Sequence, residues 1–254
     1  MRLHGDQQAK KEHALEIIEA GRQLIRQMPF GRTHNDDLDA SLDGISKACL
    51  GGEEGRVIVG EVCRKLKDAA ARYEACAFYY NEFIGGLFAA QPTAALDALC
   101  GGGTGELEKG LGIIRDLRQN PIDSVPEAEL FAWCDREPTT RYPAIATAIG
   151  ICHSSKEGEP PQWTNLALRL LDKACDRIAV LQQYIAQIEL MSCRGFSTGA
   201  LASNIKLLDS LPADADPAVG RFVAQERTRL GLIADVQAHR DREGERERDE
   251  RFEY

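Results

Sequence analysis

Between Pro126 and Ile188 apolar residues recur at intervals of three and four, and prolines cut the run into pieces. Tyr142, Ile145, Ile149 and Cys152 form one series, Trp163, Leu166 and Leu170 a second, and Ile178, Leu181, Ile185 and Ile188 a third. Each is a single apolar stripe at helical period, which is buried only against a neighbour. Pro138, Pro143, Pro160 and Pro161 punctuate them. A proline inside a helix loses a hydrogen bond and clashes with the preceding turn, whereas at the first helical position it costs nothing. The pattern predicts short helices packed in sequence.

The same period runs through the rest of the chain. A first helix is expected from about Asp6 to Met28 with Leu15, Ile18, Ile25 and Met28 on one face, stopped by Pro29 and Gly31. Thr33, His34, Asn35 and Asp36 offer caps for a second helix bearing Leu38, Leu42, Ile45 and Cys49, closed by Gly51-Gly52. These two should form an antiparallel hairpin. From Glu53 to Ala90 the stripe Val59, Val62, Leu66, Ala69, Tyr73, Cys76, Tyr80, Phe83 and Leu87 predicts one long central helix. Gly85-Gly86 is its expected weak point, since each glycine costs about 1 kcal/mol relative to alanine in a helix interior.

Pro92 opens a short helix with Leu96, Leu99 and Cys100, ended by Gly101-Gly102-Gly103, and another carries Leu107, Leu111, Ile114 and Leu117 up to Asn120-Pro121. Ser197 or Thr198 can cap a helix bearing Leu201, Ile205, Leu208 and Leu211, and a final helix begins near Pro217 with Val219, Phe222, Val223, Leu230, Ile233 and Val236. No segment shows sustained strand alternation, so the expected fold is all-α. Residues 1–239 read as one helical domain with a sub-boundary near 120–125. Residues 240–254, RDREGERERDERFEY, alternate charges with almost no apolar residue and read as a frayed, solvated tail.

The unit LASNIKLLDSL, PADADP, AVGRFVAQERTRL resembles a HEAT repeat: two antiparallel helices, an aspartate-rich turn with Asp216-Pro217, and a valine early in the second helix. The resemblance covers about forty residues; it implies antiparallel helix pairs stacked as an α-solenoid, with an irregular helical bundle as the alternative. Blocks from QPTAALDALCGG through WCDREPTTRYPAIATAI to RDERFEY are also similar to C-terminal helical segments of large bacterial multidomain proteins, some of them candidate phage-defence ATPases. That likeness implies a detached or independently expressed helical region whose catalytic domains lie elsewhere. It brings no active-site motif with it.

The formal charge of −9 repels phosphate backbones, and no basic cluster with interleaved aromatics offsets it, so nucleic acid is not an expected partner. The polar start MRLHGDQQAKKEH does not resemble a secretory signal, and the most apolar run, ACAFYYNEFIGGLFAA, is short and carries Asn81 and Glu82. A soluble cytoplasmic protein with no membrane association is expected. The eight cysteines are scattered singly, which argues against a disulfide framework or zinc site and for small buried hydrophobes, Cys49 and Cys152 among them.

Candidate chemistry is sparse. Gly101-Gly102-Gly103-Thr104-Gly105 precedes a helix but lacks the lysine of a P-loop, and Glu106 follows where positive charge would help. Cys152-His153 is the one adjacent thiol and imidazole, though neighbours on a helix point about 100° apart. His34, Asp36, Asp37, Asp39 and Asp43 gather carboxylates and an imidazole, more simply read as acids complementing a helix start. Trp133 and Trp163 sit beside helix breaks, where indole serves packing or a binding hot spot according to its exposure. Arg194 and Phe196 lie in a stretch read as a loop and complete the candidate interaction surface.

The leading expectation is a non-catalytic module that binds a protein partner or its own copy along a helical face, with no cofactor and no metal. The alternatives are an enzyme with a groove site at Cys152/His153 or His34/Asp36, and a ligand-sensing domain with a closed apolar cavity near Tyr73, Tyr80 and Phe83.

Overall fold

The structure is a computed structural model that describes residues 2–32, 35–153, 161–194, 205–211 and 216–252. The fold is all-α. The chain divides into two compact units, residues 1–149 and 150–254.

The first unit contains α1 (Arg2–Gln27), α2 (Asp36–Cys49), α3 (Gly52–Ala71), α4 (Asn81–Ala90), α5 (Pro92–Cys100), α6 (Thr104–Arg115), α7 (Glu127–Cys134) and α8 (Pro138–Ala146). Single 3-10 turns lie at Ala77–Tyr80 and Pro121–Ser124, the latter inside the first unit, so the division at 149/150 falls elsewhere than the expected sub-boundary near 120–125. Caps fall where the sequence offers them. Asn35 accepts from the backbone N–H of Leu38 at 3.0 Å, and Pro92 and Pro138 take first helical positions.

The α1/α2 pair is antiparallel, with Gly21 against Cys49 and Met28 in the same cleft as Leu42. Arg22 crosses between them, donating from Nε to the Cys49 carbonyl at 3.0 Å and from a terminal nitrogen to the Gly51 carbonyl at 3.1 Å. It thereby satisfies acceptors that α2 leaves open at its C-terminus. The apolar face expected of α1 is only partly used: Ile25 is buried and Ile18 half-buried, but Leu15 is 64% exposed. The reason is length. Helix α2 ends opposite Gly21, so the N-terminal turns of α1 run past it.

The long central helix expected from Glu53 to Ala90 is instead two helices. The break lies at Arg72–Cys76, where Tyr73 adopts φ 57°. The N–H of Glu74 donates to Ala69 O at 2.9 Å and that of Tyr73 to Ala70 O at 3.0 Å, the paired bonds of a Schellman ending with tyrosine in the place usually held by glycine. Gly85 and Gly86, expected as the weak point, lie inside α4. Gly86 faces α2 at contact distance: a Cβ there would stand 2.8 Å from Asp43 Oδ1 and 2.9 Å from its Cα. Gly85, one residue away, would meet nothing within 4 Å.

Helix α6 is joined to α3 by charge. Lys67, buried on α3, lies 2.9 Å from Glu106 in the first turn of α6, and Lys109 reaches the other oxygen of the same carboxylate at 2.8 Å. The Lys109 and Lys67 donors hold the Glu106 carboxyl down at about 2, from an ordinary 4.5.

The central block departs from its expected helices. Helix α8 stops at Ala146, so Ile149 and Cys152 do not continue its stripe. Cys152–His153 instead pairs antiparallel with Gln162–Trp163 as a two-residue strand, Cys152 opposite Trp163. This opens the second unit, which continues with α9 (Asn165–Lys173), α10 (Arg177–Arg194), helical residues 205–209 and α11 (Pro217–Phe252). Thr164 caps α9, its hydroxyl accepting from Ala167 N at 3.2 Å. Arg229 on α11 reaches Glu189 on α10 at 2.6 Å, and Arg227 reaches Asp209 at 2.9 Å. Residues 201–204 and 212–215 of the HEAT-like unit lie outside the described residues. The charged stretch from 240 continues α11 as helix to Phe252.

Two outcomes follow from this packing. Gly85→Ala should raise stability by up to about 1 kcal/mol, the helix-interior preference for alanine, whereas Gly86→Ala should lower it by about 1–3 kcal/mol through overpacking; urea midpoints of the two variants check the opposite signs. Glu106 binds fewer protons folded than unfolded between its two values, so its contribution is complete above about 4.5 and fades as pH falls toward 2. The deficit of Glu106→Gln relative to the parent, measured as a denaturation midpoint, should therefore be largest at neutral pH and close toward pH 2.

Candidate functional site

The two tryptophans are packing residues. Trp133 is 1% exposed, and its Nε1 donates to Asp97 Oδ1 at 2.8 Å. Arg136 grips both oxygens of Asp97 from the side, and the Arg141 guanidinium lies over the indole at 4.2 Å while donating to the Trp133 carbonyl at 3.0 Å. An indole already hydrogen-bonded and stacked has neither a free face nor a free N–H to offer a partner. Trp163, 7% exposed, donates from Nε1 to the Leu207 carbonyl at 2.7 Å and packs on Tyr184. The expectation that either anchors a contact surface is corrected by their burial. Arg194, expected in a loop, is the last residue of α10, and Phe196 lies outside the described residues.

Cys152 and His153 do not form a dyad. Neighbours on a strand point to opposite faces, and here Cys152 is half-buried while His153 is exposed. Burial pushes the Cys152 thiol up, away from the thiolate that a nucleophile needs. Cys63, Cys100 and Cys134 are pushed up to about 12 by the same desolvation. Cys49 is also buried, whereas Cys76 and Cys175 are exposed.

Of the proposed acidic cluster, His34 lies outside the described residues and the carboxylates serve separate helices. Asp36 and Asp37 stand in the first turn of α2, and Asp43 pairs with Lys47 at 2.7 Å. Asp39 is buried and accepts from the backbone N–H groups of Glu82 and Phe83, both at 2.9 Å, at the start of α4. Among the described residues no group of three His, Cys, Asp or Glu side chains could hold a metal. In the glycine run, Gly102 takes φ 107° and the α6 start it leads into already carries Glu106 with its two lysines.

Tyr73, Tyr80 and Phe83 do not line one cavity. Tyr80 borders an open cleft of about 360 Å³ with Met28, Phe30, Leu38 and Asp39, and its hydroxyl accepts from Gly31 N at 2.8 Å. Tyr73 belongs to a different groove of about 380 Å³ beside Cys76 and Ile113, and Phe83 is fully buried.

What the surface does offer is apolar. On α1, Leu15, Ile17 and Leu24 are exposed, and on α11 so are Leu232, at 64%, Ile233 and Val236. Ile17, Leu24 and Leu232 lie off the stripes that the sequence pattern singles out. The signal that could have found them is an apolar residue on the far face of a helix whose core stripe is already complete. Among the described residues no helix is long and apolar enough to cross a membrane. Comparison with protein-family models, with curated proteins and with solved structures found no match to the chain in any of the three.

Proposed function

We propose that this chain is a non-catalytic helical interaction module, HEAT-like in its pairing of helices, that binds a protein partner or a second copy of itself in the cytoplasm. Its setting is a larger bacterial assembly, a regulatory or defence complex being the kind that the likeness of its central and C-terminal blocks suggests. The observation that carries this reading is the exposed apolar residues on two helices, Ile17 and Leu24 on one face of α1 with Leu15 on another, and Leu232, Ile233 and Val236 on α11. Apolar groups of this size left in water favour a contact that removes them, at roughly 25 cal/mol per Å² covered. Several groups capable of chemistry support it from the other side: burial pushes the Cys63 and Cys100 thiols up, away from the thiolate, and Asp39, Asp97 and Glu106 are each engaged by groups of the fold itself.

The test is recovery of the tagged chain from its own host, followed by mass spectrometry and sizing. A stoichiometric protein, or a second copy, should accompany the parent and be lost from Leu24→Glu combined with Leu232→Glu, with the thermal midpoint unchanged. A chain recovered alone and monomeric, or an enzymatic turnover abolished by Cys152→Ala, would overturn the reading.

A further inference from the structure

Gly85 and Gly86, adjacent on α4, have opposite surroundings. Gly86 is pressed against Asp43 of α2, whereas a Cβ at Gly85 would meet nothing within 4 Å. Gly85 borders a pocket of about 440 Å³, walled by Asp43 and Lys47 of α2, by Asn81 and Glu82 at the start of α4, and by Asp123 of the 3-10 turn at Pro121–Ser124. That volume lies in the range of small-molecule sites, and a residue without a side chain keeps this wall clear.

Asn81 gives the pocket a donor. The residue is 8% exposed, and its Oδ1 accepts from the N–H of Gln119 at 3.0 Å, which fixes the orientation of the amide and turns Nδ2 the other way. Among the described residues Nδ2 donates to nothing, and it is not fully enclosed, so an acceptor reaches it from the pocket that Asn81 lines. A buried amide nitrogen without an acceptor is costly, and native folds seldom keep one. The group that suits it is an oxygen.

The carboxylates set the charge. Asp43, Glu82 and Asp123 stand against the single ammonium of Lys47, which is already paired with Asp43 at 2.7 Å. Glu82 has no ionic partner among the described residues. A concave wall of this sign attracts cations. Since no group of three His, Cys, Asp or Glu among the described residues could hold a metal, the cation that suits the pocket is an organic ammonium.

We propose that this pocket binds a small hydroxylated amine, of the size of an amino sugar, with its ammonium at Glu82 and a hydroxyl oxygen accepting from Asn81 Nδ2. The pocket lies wholly within the first unit and makes no use of the exposed apolar residues of α1 and α11, so this site and the interaction reading stand or fall separately.

Isothermal titration calorimetry of the full chain tests both contacts at about pH 6, where such an amine is protonated. The probes are glucosamine, glucose, which lacks the charge, and cyclohexylamine, which keeps ring and charge but has no oxygen. Glucosamine should bind saturably, at least about tenfold tighter than either of the others. Glu82→Gln should weaken it at least about tenfold. Gly85→Leu should abolish binding by filling the pocket, with a thermal midpoint no lower than the parent's, which excludes unfolding as the cause. Absence of saturable glucosamine binding up to about 10 mM would overturn the proposal. Equal affinity for cyclohexylamine would overturn the contact with Asn81 and with it the ligand class, and binding that survives Gly85→Leu would overturn the site.

Discussion

The carboxylate of Asp39 sets the arrangement of the first unit. Helix α4 begins at Asn81 directly after a 3-10 turn, and Tyr80, in the capping position, supplies no side-chain acceptor for its first N–H groups. Asp39 supplies two from across the seam with α2. Hydrogen bonds to a charged group contribute about 1.5–3 kcal/mol, and leaving the carboxylate buried without them would cost more than it now gives. One turn further on, Gly86 brings the α4 backbone against Asp43. Cap and close approach together fix both the sliding and the separation of the two helices, and that places Phe83, Ile84, Leu87 and Phe88 in the core.

The same device recurs at several other helix ends of this unit. Arg22 of α1 closes the C-terminus of α2, Gln91 donates to the carbonyls of Leu50 and Gly52, and Asn81 accepts from the N–H of Gln119. Asp97 of α5 receives Trp133 and Arg136 from α7 and the turn that follows it. Apolar stripes can pack in several registers because burial has no direction. A polar group that must find its partner at about 3 Å admits few. The helices are thus driven together by their stripes and aligned by these bonds.

That division of labour decides how much the sequence could disclose. The all-α class, the helix opening at Pro92 and the stop at Gly101–Gly103 are local properties of residue type, and they were legible, whereas the helix expected to reach Asn120-Pro121 ends at Arg115. The turn at Tyr73 was not, because the apolar period passes through it unbroken and the residue that takes the left-handed conformation is not glycine. Leu15 matched the core stripe of its helix, yet its burial depends on how long α2 is, a fact that lies in another segment. Trp133 and Trp163 show the same limit. An indole beside a helix break reads equally as anchor or core, and the deciding partners, Asp97 and Leu207, lie 36 and 44 positions away.

Several groups that could perform chemistry are already committed to the fold. A side chain that performs chemistry must have a polar atom aimed at open space with its protonation adjusted to the task. Here Asp39 is buried against the start of α4, Asp97 is held by Trp133 and Arg136, and burial pushes the Cys63, Cys100, Cys134 and Cys152 thiols up, in the unreactive direction. Glu106 is held ionised by two lysines of its own chain, which suits an ion pair joining helices and not an acid that must deliver a proton. Among the described residues, large apolar side chains stand exposed on the stretch of α1 that outruns α2 and α3 and on the middle of α11. Water is a poor neighbour for such groups and an apolar surface a better one, which is the physical ground on which the proposed interaction reading stands.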